Sequence, residues 1–293
     1  MERWRLSLFK LLHGRGISRL PGGKALVRRA RERFRGSHSI VHGFPMDLDP
    51  DDTLRLSLSG VYEPMETRLA AAAVRPGDHV IDLGAFIGYY TLLFSKLVGP
   101  TGRVFAFEPT PESFAILQGN VRRNSLDNVE LVNAACGSES RATATLFLNR
   151  ANRGDNHVFD VDGDGYDTVP VRIVRVDDQI PVGRAVNFVK MDIQGAEPAA
   201  LRGMVRTIGN SPGMRILTEF WPLAIQRAGF DPGNFLDELA AMGFTFRHVD
   251  RIRRQLVPRS KEELLSTDWI IEKGTYLYCS RPGDALAAGA LGA

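Results

Sequence analysis

The stretch from Val80 to Thr91 constrains the fold more than any other part of the chain. The pattern predicts an apolar strand that ends in an acidic residue, Asp82, followed by a turn at Gly84 and Gly88 and then a helix. A second apolar run, Val104 to Phe107, follows that helix. A buried strand, a glycine turn, a helix and another buried strand together form the pattern of a parallel β-α-β unit.

The same alternation continues along the chain and predicts the layout of a whole domain. Strands are predicted at 79–83, 103–107, 129–133, 187–191, 214–219, 244–249 and 275–280, and helices at 64–74, 88–97, 112–124, 197–206 and 233–242. Such alternation predicts an α/β fold with a mostly parallel sheet and helices on both faces. Between residues 140 and 180 it gives way to two short β-like runs, which predicts an insertion placed where a substrate lid could lie.

The distribution of charge suggests how the rest of the chain is organised. Residues 1–36 contain eleven Lys and Arg but only two Glu, and we expect residues 1–60 to be a basic N-terminal extension. Its first dozen residues have the spacing of an amphipathic helix, which could contact a membrane surface or nucleic acid, pack on the main domain, or remain a frayed tail. Residues 61–281 are predicted to be the main domain, and 282–293 a disordered tail.

Several classes of protein are disfavoured by composition. No apolar run approaches the ~20 residues that a membrane-spanning helix needs, and no secretory signal is recognisable, so we expect a cytoplasmic protein. Cys136 and Cys279 are the only cysteines. Two cysteines do not make a zinc cluster, and a single disulfide is not expected in such a chain.

Two acidic residues follow the first two predicted strands of the sheet. Ligands of open α/β sheets bind beyond the carboxyl ends of the strands, where Asp82 and Glu108 lie. A dinucleotide-binding loop needs glycine at positions 86 and 89, but these are Phe86 and Tyr89. Two carboxylates suit a cationic nucleoside better than a polyphosphate and point to S-adenosylmethionine. The structural alternative is that both acids only cap loops.

Three segments together resemble the FkbM family of S-adenosylmethionine-dependent methyltransferases. They are Asp82-Leu-Gly-Ala-Phe-Ile-Gly-Tyr-Tyr-Thr, Phe107-Glu-Pro-Thr-Pro and Phe188-Val-Lys-Met-Asp-Ile-Gln-Gly-Ala-Glu197. The resemblance covers roughly residues 60 to 280. It implies a class I methyltransferase fold, with a seven-stranded sheet whose last strand is antiparallel. It also implies O-methylation of a hydroxyl on a sugar, a macrolide or another secondary metabolite.

The resemblance assigns roles to the residues around the cofactor. Asp82, Gly84, Phe86 and Gly88 would surround its methionine part, and Glu108 would hold the ribose. Asn133, Ala134 and Ala135 would border the adenine, while Tyr62 and Glu63 match an upstream element that would close over the cofactor. The family motif Asp-x-Glu-Gly-Ala-Glu has Gln194 in place of its first Glu here, which puts a role for that position in doubt.

Residues near the transferred methyl group are candidates for catalysis. Asp192 is the first candidate for a base or substrate anchor, and it also borders the cofactor. Glu219 would reach the same rim, and Mg²⁺ held by Asp192 and Glu219 is a further hypothesis. Glu197 would either take part or stabilise a helix N-terminus. His157, in the insertion, is a candidate substrate contact or base, or else an ordinary surface residue.

Two other features are expected to have no chemical role. Asp160-Val-Asp162-Gly-Asp164-Gly165 matches the start of an EF-hand loop, but Val171 stands where the bidentate Glu is required. A Gly-rich acidic turn is the better interpretation. His248 lies on an apolar strand and is expected to be structural.

Three functions compete with methylation of a small-molecule or glycan hydroxyl. A nucleic-acid methyltransferase would explain the basic N-terminus, but amino-nitrogen methylation in this fold usually shows Asp/Asn-Pro-Pro-Tyr where this chain has Asp192-Ile-Gln-Gly. A nicotinamide dehydrogenase is disfavoured by Phe86. A non-catalytic cofactor-binding protein stays open, because fold does not determine function. The sequence does not indicate an oligomeric state.

Overall fold

The computed structural model describes residues 36–150, 152–158 and 165–288. The predicted basic helix and most of the N-terminal extension lie outside these residues, as do the acidic Asp160–Asp164 turn and the end of the predicted tail. The chain divides into two compact units, Met1–Tyr62 and Glu63–Ala293. Within the described residues, no helix is both long enough and apolar enough to cross a membrane.

The described part of the first unit is small. Strands β1 (His38–Val41) and β2 (Phe44–Asp47) form an antiparallel hairpin, and α1 (Leu56–Ser59) follows. The hydroxyl of Ser39 donates to the carbonyl of Leu56 over 2.9 Å and ties the hairpin to the helix.

The second unit is built on an eight-stranded sheet with the order β12-β11-β13-β10-β9-β3-β4-β5. Its strands are β3 (His79–Leu83), β4 (Arg103–Phe107), β5 (Val129–Val132), β9 (Phe188–Met191), β10 (Arg215–Phe220), β11 (Thr245–Asp250), β12 (Gln255–Pro258) and β13 (Thr275–Ser280). Strands β3, β4, β5, β9 and β10 pair in parallel, and β13 is antiparallel to both β10 and β11. The predicted seven-stranded sheet with an antiparallel last strand is therefore present, and β12 adds an eighth strand at its edge.

Helices cover both faces of this sheet. They are α2 (Pro64–Ala73), α3 (Tyr89–Val98), α4 (Pro111–Arg123), α5 (Val176–Gln179), α6 (Glu197–Arg202), α7 (Val205–Gly209), α8 (Pro222–Arg227), α9 (Pro232–Ala241), α10 (Lys261–Ser266), α11 (Asp268–Lys273) and α12 (Ala285–Ala288). Side chains alternate along each strand, so Ile81 packs in the larger core with α9 and α11, whereas Ala106 faces α4 on the opposite side. The predicted helix 197–206 forms as two short helices.

The predicted insertion is a separate three-stranded sheet with the order β6-β8-β7. Its strands are β6 (Ala135–Cys136), β7 (Arg141–Asn149) and β8 (Tyr166–Val174). An isolated bridge from Phe147 to His157 brings the segment after β7 back alongside that strand. This bridge places residues 152–158 near the carboxyl edge of the main sheet.

Candidate functional site

A cleft lies at the carboxyl edge of the main sheet, over the ends of β3, β4 and β9. Its volume is about 620 Å³, part of which is open to solvent. The insertion supplies its outer wall. The residues that line it are Gly84, Phe86, Phe107, Glu108, Pro109, Thr110, Ala134, Ala135, Cys136, Leu146, Arg153, Gly154, Asn156, Val158, Asp192, Ile193, Gln194 and Ala196. The cleft is mostly apolar and has a few polar groups at defined positions, as small-molecule sites generally do.

The turn after β3 is shaped by residues with positive φ. Gly84 has φ +80°, Phe86 has φ +50° and Gly88 has φ +100°. A Cβ atom on Gly84 would overlap the carbonyl oxygen of Asp192, and one on Gly88 would lie 2.8 Å from Leu117 Cδ1. Gly84 is therefore required by backbone conformation and also by its close approach to the turn after β9.

We expect Gly84→Ala to destabilise the protein by about 2–5 kcal/mol, because it combines a left-handed backbone with an overlap against Asp192. Urea denaturation of the two proteins measures this difference. Gly119→Ala is the matched control: Gly119 lies inside α4, and a Cβ atom added there would have no neighbouring atom within 4 Å. Alanine there should stabilise by about 0.5–1 kcal/mol, and equal effects at both positions would contradict this account.

Glu108 is buried at the end of β4 and lines the cleft. Its two carboxylate oxygens accept hydrogen bonds from the backbone N–H groups of Phe86, over 2.9 Å, and Thr110, over 2.8 Å. These bonds fix the carboxylate, and the Thr110 side chain hydrogen-bonds to it as well, so a ligand would use the remaining lone pair or displace that hydroxyl. Burial raises the pKa of Glu108 to about 7, despite those hydrogen bonds.

Asp82 lies deeper than Glu108, with 1% of its surface exposed, and it is not among the residues that line the cleft. One oxygen accepts from the hydroxyl of Thr91 over 2.6 Å. The other, Oδ1, is buried and has no hydrogen-bond partner among the described residues. Burial raises the pKa of Asp82 to about 6.

The turn after β9 carries the densest group of charges. Asp192 Oδ2 accepts from Lys190 Nζ over 2.8 Å and from the hydroxyl of Tyr276, while Oδ1 accepts from Gln194 Nε2 over 2.8 Å. The same Gln194 amide donates to Glu219 Oε2 over 3.1 Å. Gln194 thus bridges the two acids that the sequence placed at this rim.

The two bridged acids differ in charge. Burial favours the neutral form of Asp192, but the Lys190 ammonium and the hydrogen bonds from Tyr276 and Gln194 outweigh it and lower the pKa of Asp192. Burial and the nearby charge of Asp192 raise the pKa of Glu219 well above its ordinary value. Asp192 is therefore an ionised acceptor at neutral pH, whereas the surroundings of Glu219 favour its protonated form.

The structure does not support the hypothesis of Mg²⁺. The amide of Gln194 stands between Asp192 and Glu219, where a shared cation would have to lie. Across residues 36–150, 152–158 and 165–288, no group of three or more His, Cys, Asp or Glu could hold a metal ion.

Glu197 has a structural position. Its carboxylate accepts from the backbone N–H groups of Ile193, over 2.9 Å, and Gly195, over 2.8 Å, and closes the turn that precedes α6. Burial raises its pKa to about 7. These contacts are to the turn before α6 and test neither of the two expected roles, in catalysis or at the helix N-terminus.

The upstream pair Tyr62 and Glu63 is split between the two compact units, and only Glu63 belongs to the second. Glu63 accepts from the hydroxyl of Tyr90 over 3.1 Å and from Arg251 over 2.8 Å. Burial raises its pKa to about 7. Glu63 therefore belongs to the buried charge cluster around Lys190.

The remaining expected residues lie along the cleft wall. Ala134 and Ala135 line the cleft, but the Asn133 side chain instead donates to the backbone carbonyls of Glu108 and Pro109. His157 is buried, and its ring nitrogens lie 3.3 Å from the Gln194 carbonyl and 3.2 Å from Asp155 Oδ1. It braces the Gln194 turn from the insertion side and is not an exposed surface residue.

Sequence reasoning missed Lys190, Tyr276 and Arg251. The signal for Lys190 was a charged residue inside an otherwise apolar strand, since a buried charge needs a partner. Tyr276 and Arg251 carried no local signal. They reach Asp192 and Glu63 only because the folded sheet places β13 beside β10, and β11 beside β13.

Comparisons with known proteins identify the family of the chain. Residues 82–246 match the profile of the methyltransferase FkbM domain. Over 144 residues the chain is 28% identical to methyltransferase 1 of Beauveria bassiana, an alignment that covers 43% of this chain and 57% of that protein. Over 51 residues it is 49% identical to the 31-O-demethyl-FK506 methyltransferase FkbM of Streptomyces tacrolimicus, covering 17% and 19% of the two chains.

Among solved structures, a methyltransferase FkbM from Methylobacillus flagellatus is 17% identical with a TM-score of 0.43, covering 78% of this chain and 52% of that one. The chain thus spans little more than half of the first of these relatives and about a fifth of the second.

Proposed function

Because this chain belongs to the FkbM methyltransferase family, we propose that it transfers a methyl group from S-adenosylmethionine to a hydroxyl oxygen of a small molecule or glycan. The observation that carries the proposal is the pair of acids at one cleft. Glu108 presents a carboxylate fixed by backbone hydrogen bonds at the end of β4, and Asp192 presents an ionised carboxylate at the end of β9.

The residues of the cleft fit this cofactor. Glu108 would accept from the two ribose hydroxyls, and Ala134 and Ala135 offer an apolar wall for the adenine. The turn from Gly84 to Gly88 would lie along the methionine part of the cofactor. Asp82 lies behind the cleft wall, and its unpartnered Oδ1 would accept from a cofactor ammonium group that reaches past the Gly84 turn.

When bound, S-adenosylmethionine supplies an electrophilic methyl group on a positively charged sulfur. The protein's part is to place a hydroxyl oxygen in line with that methyl and to accept its proton. Asp192 is the acceptor at neutral pH, since Lys190 and Tyr276 keep it ionised and fixed in place. Glu219 supports it through Gln194, and His157 holds the backbone of the same turn.

An assay with methyl-labelled S-adenosylmethionine and a cell extract tests the proposal. We expect S-adenosylhomocysteine to form and the label to enter a small product that survives mild alkali, because a methyl ether resists alkali and a methyl ester does not. Label released by alkali would indicate carboxyl methylation, and label made soluble by nuclease would indicate a nucleic-acid substrate. Cofactor binding without turnover would favour the non-catalytic alternative.

Cofactor affinity should depend on pH through Glu108. The ionised carboxylate accepts from both hydroxyls, and burial raises its pKa to about 7. The carboxylate therefore loses its charge as pH falls through 7, and binding weakens in the same direction. Between pH 8 and pH 6 we expect up to about tenfold weaker binding of S-adenosylhomocysteine by calorimetry. Glu108→Gln should bind weakly and without this dependence. If Glu108→Gln showed the same pH dependence of binding as the wild type, that result would contradict the assignment of Glu108 to the ribose.

A further inference from the structure

A second cleft lies at the same edge of the sheet, beyond the charge cluster. Its volume is about 1140 Å³, including open solvent, and Thr275, at the start of β13, lies on its wall. Strands β10 and β11 both run antiparallel to β13, so their carboxyl ends lie at the edge where β3, β4 and β9 end. Ligands of open α/β sheets bind at this edge.

The cleft contains unsatisfied polar groups. His248 is 3% exposed, and both of its ring nitrogens are buried without a hydrogen-bond partner among the described residues. The Nε atom of Arg259 is also buried and has no hydrogen-bond partner in the described part of the chain. Buried polar groups are normally hydrogen-bonded, so two side chains with unpaired nitrogens in one cleft point to a ligand that satisfies them.

The charge of the cleft is positive. Arg251, Arg253 and Arg259 line it, against the single carboxylate of Asp250. Asp250 Oδ1 already accepts from the backbone N–H groups of Ile252, over 3.0 Å, and Arg253, over 2.8 Å. Arg251 is paired with Glu63 and Glu66. Arg259 is the guanidinium on this wall with an orphaned buried nitrogen, and it lies beside His248.

An aromatic ring completes the cleft. Trp269 is 47% exposed and packs against the His248 ring, with centroids 5.6 Å apart. Burial and the charge of Arg259 lower the pKa of His248, so its imidazole is neutral and has one donor and one acceptor nitrogen. A ligand here would meet a flat apolar surface beside charged and neutral donors.

The cleft is also close to the candidate catalytic group. Arg251 lies on the cleft wall with its guanidinium 5.4 Å from the Tyr276 ring, and the Tyr276 hydroxyl donates to Asp192. The side chains of Arg251 and Tyr276 therefore lie between this cleft and the Asp192 carboxylate, which would receive the proton of the acceptor hydroxyl.

We propose that this second cleft binds the methyl acceptor by an anionic group, a carboxylate or a phosphoryl group, which hydrogen-bonds to Arg259 and His248 while the body of the acceptor lies on Trp269. The proposal rests on the methyl-transfer function above and gives its substrate an anionic handle. Guanidinium groups recognise both kinds of anion through charge-assisted hydrogen bonds.

The test uses the full chain labelled with ¹⁵N at its three tryptophan indoles, with Trp269 assigned from Trp269→Phe. Phenyl phosphate and benzoate are the anionic probes, and benzyl alcohol is the neutral one. We expect the anions to shift the Trp269 signal saturably, with at least one of them binding about tenfold or more tighter than benzyl alcohol. The tighter anion identifies the preferred group.

Arg259→Gln should remove the difference between anionic and neutral probes, and His248→Phe should reduce it. Arg227→Gln, an exposed position on α8 outside the cleft, makes the same charge change as a control and should retain the difference. An unchanged Trp221 signal shows that each variant is folded. Equal binding of all probes to the wild type, or anion preference that persists in Arg259→Gln, would overturn the proposal.

Calorimetry with S-adenosylhomocysteine keeps the two proposals separate. Absence of heat would remove the methyl-transfer premise, whatever the anions do. Heat from the nucleoside without a response of Trp269 to the anions would leave the premise and remove the anion site.

Discussion

Glu108→Ala is expected to weaken binding of S-adenosylhomocysteine by about 10²–10⁴-fold. The wild-type carboxylate is held by the backbone of Phe86 and Thr110 and lines the cleft. Hydrogen bonds to a charged group are worth about 1.5–3 kcal/mol each, and two ribose hydroxyls would make two of them. Calorimetry at pH 8 measures the loss under conditions where the wild-type carboxylate is ionised.

The variant must be shown to fold, because Glu108 also closes the backbone of its own turn. Circular dichroism and the urea midpoint provide that check. Glu130→Ala is the matched control, since Glu130 lies on the neighbouring strand β5, opposite Phe105 in register, with 51% of its side chain exposed. We expect it to bind like the wild type. Glu108→Ala that is folded and binds within about threefold of the wild type would reject the ribose assignment.

Local sequence was sufficient to predict the half of the site that the first strands build. Asp82 and Glu108 follow apolar runs directly, so the end of each strand identified them. The turn between them was visible because Gly84 and Gly88 interrupt that pattern. The structure adds a reason for Gly84 that the sequence could not supply: Gly84 lines the cleft, and the carbonyl of Asp192 also excludes any side chain there.

The other half of the site depends on contacts that are distant in sequence. Tyr276 reaches Asp192 across 84 residues, and Arg251 reaches Glu63 across 188. The local sequence pattern predicts neither contact, because both contacts arise from the order in which the strands lie in the sheet. The short helices α8, α10 and α11 were missed for a related reason: a six-residue helix is shorter than the roughly 10–12 residues over which helical periodicity is informative. The four-residue edge strand β12, which ends in Pro258, was missed as well.

His248 is a residue whose burial could be predicted from the sequence but whose hydrogen bonding could not. Its apolar strand predicted a structural residue, and its burial agrees with that expectation. Its two unpartnered nitrogens and its contact with Trp269 could not be anticipated, since they depend on how α11 packs against β11. Burial can be inferred from pattern, whereas hydrogen-bond satisfaction requires the folded structure.

Asp192→Asn is expected to retain cofactor binding and to lose about 10²–10⁴-fold in turnover. Asparagine keeps the shape of the side chain but removes the charge that would accept the hydroxyl proton. It also leaves Lys190 without the carboxylate at 2.8 Å, although Glu63 and Asp82 still lie near that ammonium. We therefore expect a lower urea midpoint, a binding constant for S-adenosylhomocysteine within about threefold of the wild type, and a large fall in labelled product.

Two further variants decide whether the loss is specific to Asp192. Asp178→Asn makes the same chemical change at an exposed position of helix α5, where Asp178 accepts from Ser140, and should turn over like the wild type. His157→Gln removes the other candidate base, which contacts the Gln194 carbonyl from the insertion. Because Asp192 is the ionised acceptor of the cluster, His157→Gln should lose far less activity than Asp192→Asn. Normal turnover in Asp192→Asn, with a collapse in His157→Gln, would transfer the proton-accepting role to the histidine.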